Sequence, residues 1–310
     1  MTDLVFITGA KGFLGRHCAR YFAGTGRIAA GLGHGEWPEE ERQRWGVGAW
    51  HSGPVMVETL ERLADRTGLP KTIIHCAGSG SVGFSYDHPH EDFLRTVGTA
   101  VDVLEFVRRH GPDIRVAYPS SAAVYGTATS LPIAEDAPLA PVSPYGKHKL
   151  MAEECCRMFG KEWGVPVAVI RFFSLYGEEL SKQLLWDACR KAGRGEFSFF
   201  GSGAEERDWL HVGDAARLLL LAVEHASPDV PVVNGGTGQG TSINEVLTML
   251  GDAWSPGSAP QFTGQARVGD PDRLVADISR LREWGFTPRI SLAQGIREYV
   301  RWFQAQARHD

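Results

Sequence analysis

Up to about residue 175, short apolar runs alternate with stretches whose apolar residues recur at helical spacing. The runs predict strands at 4–7, 28–32, 72–76, 115–120 and 167–172, and the stretches between them predict helices at 13–24, 57–67, 91–110 and 144–162. Such a βα alternation builds a parallel sheet covered on both faces. Right-handed crossovers make the doubly wound α/β topology the default, with ligands at the carboxyl ends of the strands. After Gly177 the rhythm breaks into a segment rich in Gly, Glu and Arg, then a long apolar helix at 213–226 and loops with several prolines. Strands at 231–235 and 273–278 and helices at 242–251 and 291–307 complete the expected elements. The pattern divides the chain into a parallel-sheet domain, 1–176, and a smaller lobe, 177–310, partly interleaved with it.

Composition narrows the class. A chain of 310 residues, 43% of them hydrophobic, can bury a substantial core. The net charge of -5 offers no general attraction to nucleic acid or to an anionic membrane, so an anionic ligand needs locally placed Arg and Lys. No apolar run is long enough to span a bilayer and no basic-then-apolar leader opens the chain, which predicts a cytoplasmic protein. The five cysteines lack C-x-x-C spacing and read as reduced core residues.

Two patterns bear chemistry. Thr8-Gly9-Ala10-Lys11-Gly12-Phe13-Leu14-Gly15 follows the first predicted strand and opens the first helix. Gly9 suits a tight reversal, Gly12 a close approach of backbone amides to phosphate, and Gly15 close packing of the helix on the sheet. The helix N-terminus adds a positive field, so the turn predicts a dinucleotide, NAD or NADP. The second pattern is Ser143-Pro144-Tyr145-Gly146-Lys147-His148-Lys149, in which Ser143 caps a helix and Pro144 occupies its first turn. Tyr145 and Lys149 then share a helix face, where an ammonium beside a phenol lowers its pKa toward the range an acid/base catalyst needs. A strand ending at Ser120-Ser121 brings hydroxyls to the same carboxyl edge.

With these residues the chain resembles the extended short-chain dehydrogenase/reductases, which include NAD-dependent epimerases and dehydratases acting on nucleotide sugars. The resemblance covers nearly the whole chain and implies a Rossmann fold with a smaller C-terminal substrate-binding lobe. It implies that Ser121, Tyr145 and Lys149 are catalytic: Tyr145 moves a proton at a sugar oxygen that Ser121 orients, and Lys149 tunes the phenol and binds the nicotinamide ribose. Hydride passes between the sugar carbon and the nicotinamide. His75-Cys76-Ala77-Gly78 resembles the segment lying along the cofactor, and Thr96 stands where the family usually has asparagine. The expected cofactor set is Gly9, Lys11, Gly12, Phe13, Leu14, Gly15, His34, Ala77, Gly78, Thr96, Ser120, Tyr145, Lys149 and Phe173. Arg171-Phe172-Phe173-Ser174-Leu175-Tyr176-Gly177 resembles a segment facing nicotinamide and substrate phosphate. Arg207, in Arg207-Asp208-Trp209-Leu210-His211-Val212, and Arg267 resemble a diphosphate clamp. With Ser79, Ser121, Tyr145 and Ser174 they form the expected substrate set, for a nucleotide-diphosphate sugar. The family also implies a homodimer joined through the helices at 91–110 and 144–162.

Departures from the family pattern steer the reaction. The second strand, Ile28-Ala29-Ala30-Gly31-Leu32-Gly33-His34, ends without the acid that binds the adenosine ribose, which favours NADP over NAD, with His34 as a contact. Ala122 and Ala123 stand where 4,6-dehydratases carry an acid pair, which disfavours dehydration. Ser174 replaces an asparagine frequent in 4-epimerases. NADPH reduction of a 4-keto-6-deoxy sugar is the first expectation, 4-epimerisation with tightly held NAD the alternative, and a non-catalytic dinucleotide sensor a third. No metal is expected: His88-Pro89-His90-Glu91-Asp92 matches no recurring ligand spacing and more simply opens a helix. His148 reads as solvated or packing, and the tryptophans 37, 45 and 50 as the packing of a long loop or the wall of an adenine pocket. Tyr125 and Tyr176 either line the sugar site or pack.

Overall fold

Along each central strand side chains point alternately to the two sheet faces. Both faces are buried here: Phe6 joins a core with Leu60, Ile73, Leu104, Phe106 and Val169, and its neighbours Val5 and Ile7 are equally inaccessible. That is why these runs read as apolar throughout. The computed structural model describes residues 3–128, 130–264 and 273–306; Arg267 of the expected clamp lies outside them.

The first elements are β1 (Leu4–Thr8), α1 (Phe13–Gly24), β2 (Ile28–Gly33), α2 (Glu39–Arg44), β3 (Val47–Ser52), α3 (Val57–Thr67) and β4 (Thr72–His75). Then come α4 (Val82–Asp87), α5 (Pro89–Phe93), a π turn (Leu94–Gly98), α6 (Thr99–His110), β5 (Arg115–Ser121), a 3-10 turn (Ala122–Val124), α7 (Pro144–Trp163) and β6 (Val167–Phe172). The remainder comprises β7 (Ser174–Tyr176), α8 (Gln183–Ala192), β8 (Ser198–Phe199), β9 (Glu206–His211), α9 (Val212–His225) and β10 (Val232–Gly235). It closes with β11 (Gly240–Ser242), α10 (Ile243–Trp254), β12 (Gln261–Phe262), β13 (Arg273–Leu274), α11 (Ser279–Glu283) and α12 (Leu292–Gln306).

Two compact units share the chain. The first comprises residues 1–127, 135–172 and 216–234 and holds the seven-stranded sheet in the order β10-β6-β5-β4-β1-β2-β3. The pairs from β6 across to β3 are parallel. The order reverses between β1 and β4, the switch point where doubly wound sheets open a crevice for a ligand. The second unit comprises residues 128–134, 173–215 and 235–310. In it β9 pairs with β11 antiparallel and with β13 and β7 parallel, while α10 packs on α8 and α12.

Three expectations change. The stretch read as a loop after β2 contains α2 and β3, and β3 extends the sheet by one strand. The helix expected over 91–110 is α5, the π turn and α6, in which the extra residue of the π turn re-aims the chain. The expected strand 273–278 shrinks to the two residues of β13. No described helix is long and apolar enough to cross a membrane.

Candidate active site

The glycine turn is built by contact. Gly9 adopts φ +66°, its amide donates to the Leu32 carbonyl at 2.7 Å, and a Cβ there would lie 2.7 Å from the Ala77 nitrogen. At Gly15 a Cβ would lie 2.3 Å from the Gly9 carbonyl oxygen, so only glycine lets α1 sit this close on the turn. Gly12 occupies the cap position of α1 and no side chain caps the helix. Uncapped amides at the positive end of a helix dipole make an anion site, and the cradle fits a dinucleotide pyrophosphate. The amine of Lys11 donates to the Glu36 carbonyl at 2.5 Å, near the exposed His34 at the tip of β2. Trp50 lies under Gly31 and Gly33 and packs edge-on against buried Trp37, while Trp45 packs against His17 and Arg20.

Sequence reasoning missed a clamp beside this turn. The Thr99 hydroxyl donates to the Arg95 carbonyl at 2.6 Å, so toward His75 Nε2, 3.3 Å away, it accepts. His75 Nδ1 therefore accepts from the Thr8 hydroxyl at 2.7 Å, and the Thr8 oxygen accepts from the Ala77 amide at 3.2 Å. Burial, with the Lys149 charge adding to it, lowers the His75 pKa to about 3. The ring stays neutral and locks the ends of β1 and β4 to the start of α6. Gly78 follows with φ +140°, Ser79 is buried, and the buried Thr96 hydroxyl has no hydrogen-bond partner among the described residues.

Ser143 caps α7 by accepting from the Gly146 amide at 3.1 Å, with Pro144 in the first turn, and the Tyr145 amide donates to the Ser85 hydroxyl at 3.0 Å. A Cβ at Gly146 would lie 2.5 Å from the Ala123 carbonyl oxygen, so this glycine seats α7 on the end of β5. There the Ser121 hydroxyl accepts from the Ala123 amide at 3.2 Å and acts to lower the pKa of the Tyr145 phenol. Lys149, one helical turn on and buried, donates to the Pro119 carbonyl at 3.0 Å and lies 5.0 Å from the centre of the Tyr118 ring. Burial lowers the Lys149 pKa to about 8.

The expectation for the phenol is corrected. Burial raises the Tyr145 pKa, the Ser121 hydroxyl opposes the rise, and the Asp92 charge adds to it. The ammonium that was to lower it is directed at the Pro119 carbonyl and is itself destabilised by burial. His148 is neither solvated nor merely packed, because its Nδ1 hydrogen-bonds the buried carboxylate of Asp92.

Ser120 donates to Glu153 at 2.6 Å, which commits its hydroxyl to a network under the site. Glu153, wholly buried, pairs with Arg171 at 2.8 Å and with Arg157 at 3.1 Å. Arg171 in turn donates to the Tyr125 hydroxyl at 3.0 Å and the Glu135 carbonyl at 2.9 Å, and Tyr125 donates to Asn234 at 2.7 Å. Tyr125 is therefore a member of the support.

The second unit holds the other expected substrate residues. The Phe173 amide donates to the Gly235 carbonyl at 3.1 Å, and Ser174 stands opposite Trp209 across β7 and β9. Arg207 stands opposite Thr241 across β9 and β11. Its neighbour Asp208 is buried and accepts from the Thr237, Gly238 and Ala276 amides at 2.7, 2.9 and 3.2 Å. Tyr176 is buried, edge-on to His211. Glu178, His211 and Glu298 bring three ligand-type atoms within 4.8 Å of one another. The Gly213 amide donates to His211 Nδ1 at 3.1 Å, so the neutral ring carries its hydrogen on Nε2 and turns a donor, rather than a lone pair, toward the carboxylates. The His88–Asp92 segment opens α5 with Pro89 in its first turn and Glu91 and Asp92 behind it.

A glycine cradle at a sheet switch point, joined to a serine, tyrosine and lysine at the carboxyl edge of β5, defines a dinucleotide-dependent enzyme of the short-chain dehydrogenase/reductase type. Residues 5–236 match the NAD dependent epimerase/dehydratase family, and the chain belongs to that family. The UDP-glucose 4-epimerase of Azospirillum brasilense is 30% identical over 96% of this chain and 91% of its own. Among solved structures, the Thermus thermophilus UDP-glucose 4-epimerase in complex with NAD is 26% identical, with a TM-score of 0.85 over 97% of this chain and 99% of that one. TunA, an NAD dependent NDP-hexosamine 5,6-dehydratase, is 28% identical, with a TM-score of 0.85 over 100% of both chains. The expectation of NADPH reduction is less well supported than its alternative, since these relatives are 4-epimerases and a dehydratase, and both structures are described with NAD.

Proposed function

We propose that the chain is a nucleotide-sugar 4-epimerase that keeps NAD bound through its cycle and acts on a UDP-hexose. The observation that carries the reading is the placement of Ser121 at the end of β5 with Tyr145 and Lys149 one helical turn apart on α7, on the sheet edge that also carries the Gly9 turn. Gly9, Gly12 and Gly15 hold the pyrophosphate at the start of α1, and Lys149 and Tyr145 border the nicotinamide ribose. Lys11, Phe13, Leu14, His34, Ala77, Gly78, Thr96, Ser120 and Phe173 complete the cofactor contacts. NAD held in that cradle would supply a reversible hydride acceptor and donor for sugar C4. Tyr145 removes the proton from the C4 hydroxyl and gives it back after the sugar turns. Ser121 steadies that oxygen. Burial holds that proton on the phenol until it is returned to the sugar oxygen. Ser79, Ser174, Arg207 and Arg267 hold the sugar and its diphosphate.

The chain acts in the cytoplasm as a homodimer. Its five free cysteines suit a reducing compartment, and exposed Leu94, Met151, Met158 and Trp163 on the π turn and α7 suit a partner helix pair. A second reading, NADPH reduction of a 4-keto sugar, rests on the acid-free tip of β2. Mass spectrometry of the dinucleotide released on denaturation tests the two. Stoichiometric NAD supports the epimerase, and a chain that releases none and binds NADPH in preference to NADH supports the reductase.

A further inference from the structure

The second unit contains a cavity of about 390 Å³, a size within the roughly 300–1,000 Å³ of small-molecule sites. None of the described residues that line it belongs to the proposed cofactor, substrate or catalytic sets. Two buried carboxylates hold its walls. Asp208 accepts from the Thr237 amide and hydroxyl, both at 2.7 Å, and Asp214 accepts from the Arg289 and Ile290 amides, both at 2.9 Å. Buried Ile278 and Phe286, with Trp209 and Leu292, give the cavity its apolar surface. The Trp209 indole N–H is itself buried without a hydrogen-bond partner among the described residues.

The charged side chains on the lining are of one sign. Arg282 of α11 and Arg289, in the loop before α12, are exposed, and neither guanidinium has a hydrogen bond or ion pair among the described residues. Asp277 feels the Arg282 charge without pairing with it. No described residue of the lining is acidic. α12 starts at Leu292 with no acid in its first turn, so the positive end of a 15-residue helix adds to the two arginines. Two guanidiniums match the double charge of a phosphate monoester, and its bidentate hydrogen bonding, better than the single charge of a carboxylate. Gln239, Thr241 and Ser291 add amide and hydroxyl groups suited to the hydroxyls of a sugar.

We infer that this cavity is a second ligand site, for a sugar phosphate, separate from the catalytic edge. The arginines take the phosphate, and Gln239, Thr241 and Ser291 take the sugar hydroxyls over the apolar surface. Thr241 stands opposite Arg207 across β11 and β9, so the cavity shares β9 with the proposed diphosphate clamp, and the test fills that clamp first.

Calorimetry titrates glucose 1-phosphate into the full chain with NAD and UDP in excess, so that the glycine cradle and the clamp are occupied. The expected result is saturable binding with a Kd of about 1 mM or tighter. Arg282→Gln and Arg289→Gln should each weaken it about tenfold, the loss of one charge-assisted hydrogen bond. Arg297→Gln, which removes an exposed arginine of α12 outside the lining, should leave it in place. All three variants change exposed side chains, and melting curves that match the parent check that they fold. Absence of saturable heat, or binding unmoved in both lining variants, overturns the inference. An equal loss in Arg297→Gln also overturns it, because attraction to net charge then explains the binding. Inorganic phosphate that binds as tightly as glucose 1-phosphate overturns the assignment of a sugar. The readout needs no turnover: binding as expected in a chain without epimerase activity supports this site and rejects the function proposed, and an active enzyme without such binding does the reverse.

Discussion

Glu153→Gln tests the buried network beneath the site. Glu153 is 0% exposed and Arg171 1%, so their attraction is little screened by water. The carboxylate accepts from Arg171 Nε at 3.1 Å, Arg171 Nη2 at 2.8 Å, Arg157 at 3.1 Å and Ser120 at 2.6 Å. Glutamine keeps one acceptor oxygen and turns an NH2 toward donors. Ser120 can rotate its hydroxyl away, but the guanidinium cannot, and it is left as a buried charge whose remaining acceptors, Tyr125 and the Glu135 carbonyl, are neutral. Breaking one side of such a pair costs about 3–5 kcal/mol. Arg171→Met alone should cost less, since Glu153 keeps Arg157 and Ser120. The double variant should recover part of the loss, which is the signature of coupling. Urea denaturation of the parent, the two single variants and the double variant measures these differences. A single-variant loss below about 1 kcal/mol, or strict additivity in the double variant, would refute the reasoning.

Three further outcomes are expected. Tyr145→Phe removes the proton relay and should lower kcat by about a hundredfold or more while leaving dinucleotide affinity near that of the parent; full turnover would exclude the phenol as the acid/base. Lys149 carries a pKa lowered to about 8 from 10.5 by burial, so the unfolded chain keeps its proton between those values while the native chain has lost it. Its contribution to stability therefore rises with pH across that window; Lys149→Met should flatten that rise in a pH series of unfolding curves. Gly15→Ala places a methyl 2.3 Å from the Gly9 carbonyl oxygen, so it should cost about 1–3 kcal/mol and weaken dinucleotide binding together, as read by melting and by titration with NAD.

Much of the parallel-sheet unit was legible because its strands are buried on both faces and its helices on one. α3, at Val57–Thr67, falls at the expected boundaries. α2 was not legible because Glu39–Arg44 buries no residue and so has no apolar period. β3 was missed because Val47 is its one fully buried position, with glycine next to it. The π turn adds a residue without disturbing the apolar spacing on either side, so 91–110 reads as one helix. At the site, cap, proline and i,i+4 spacing were enough to put Tyr145 and Lys149 on one face. Their electrostatics were not, since burial and the direction of the amine toward Pro119 come from the packing of α7 on β5. The clamp of Thr8, His75 and Thr99 joins residues far apart in sequence with no shared spacing, and only the strand order brings them together.

The central claim is that Tyr145 and a resident dinucleotide interconvert the two C4 epimers without outside reductant. The most direct measurement incubates the purified chain with UDP-glucose deuterated at C4, adds no cofactor, and reads the product by NMR. The account predicts UDP-galactose with the deuterium retained at C4, and no product from Tyr145→Phe. Absence of the C4 epimer, or loss of the label to solvent in the product, would contradict it.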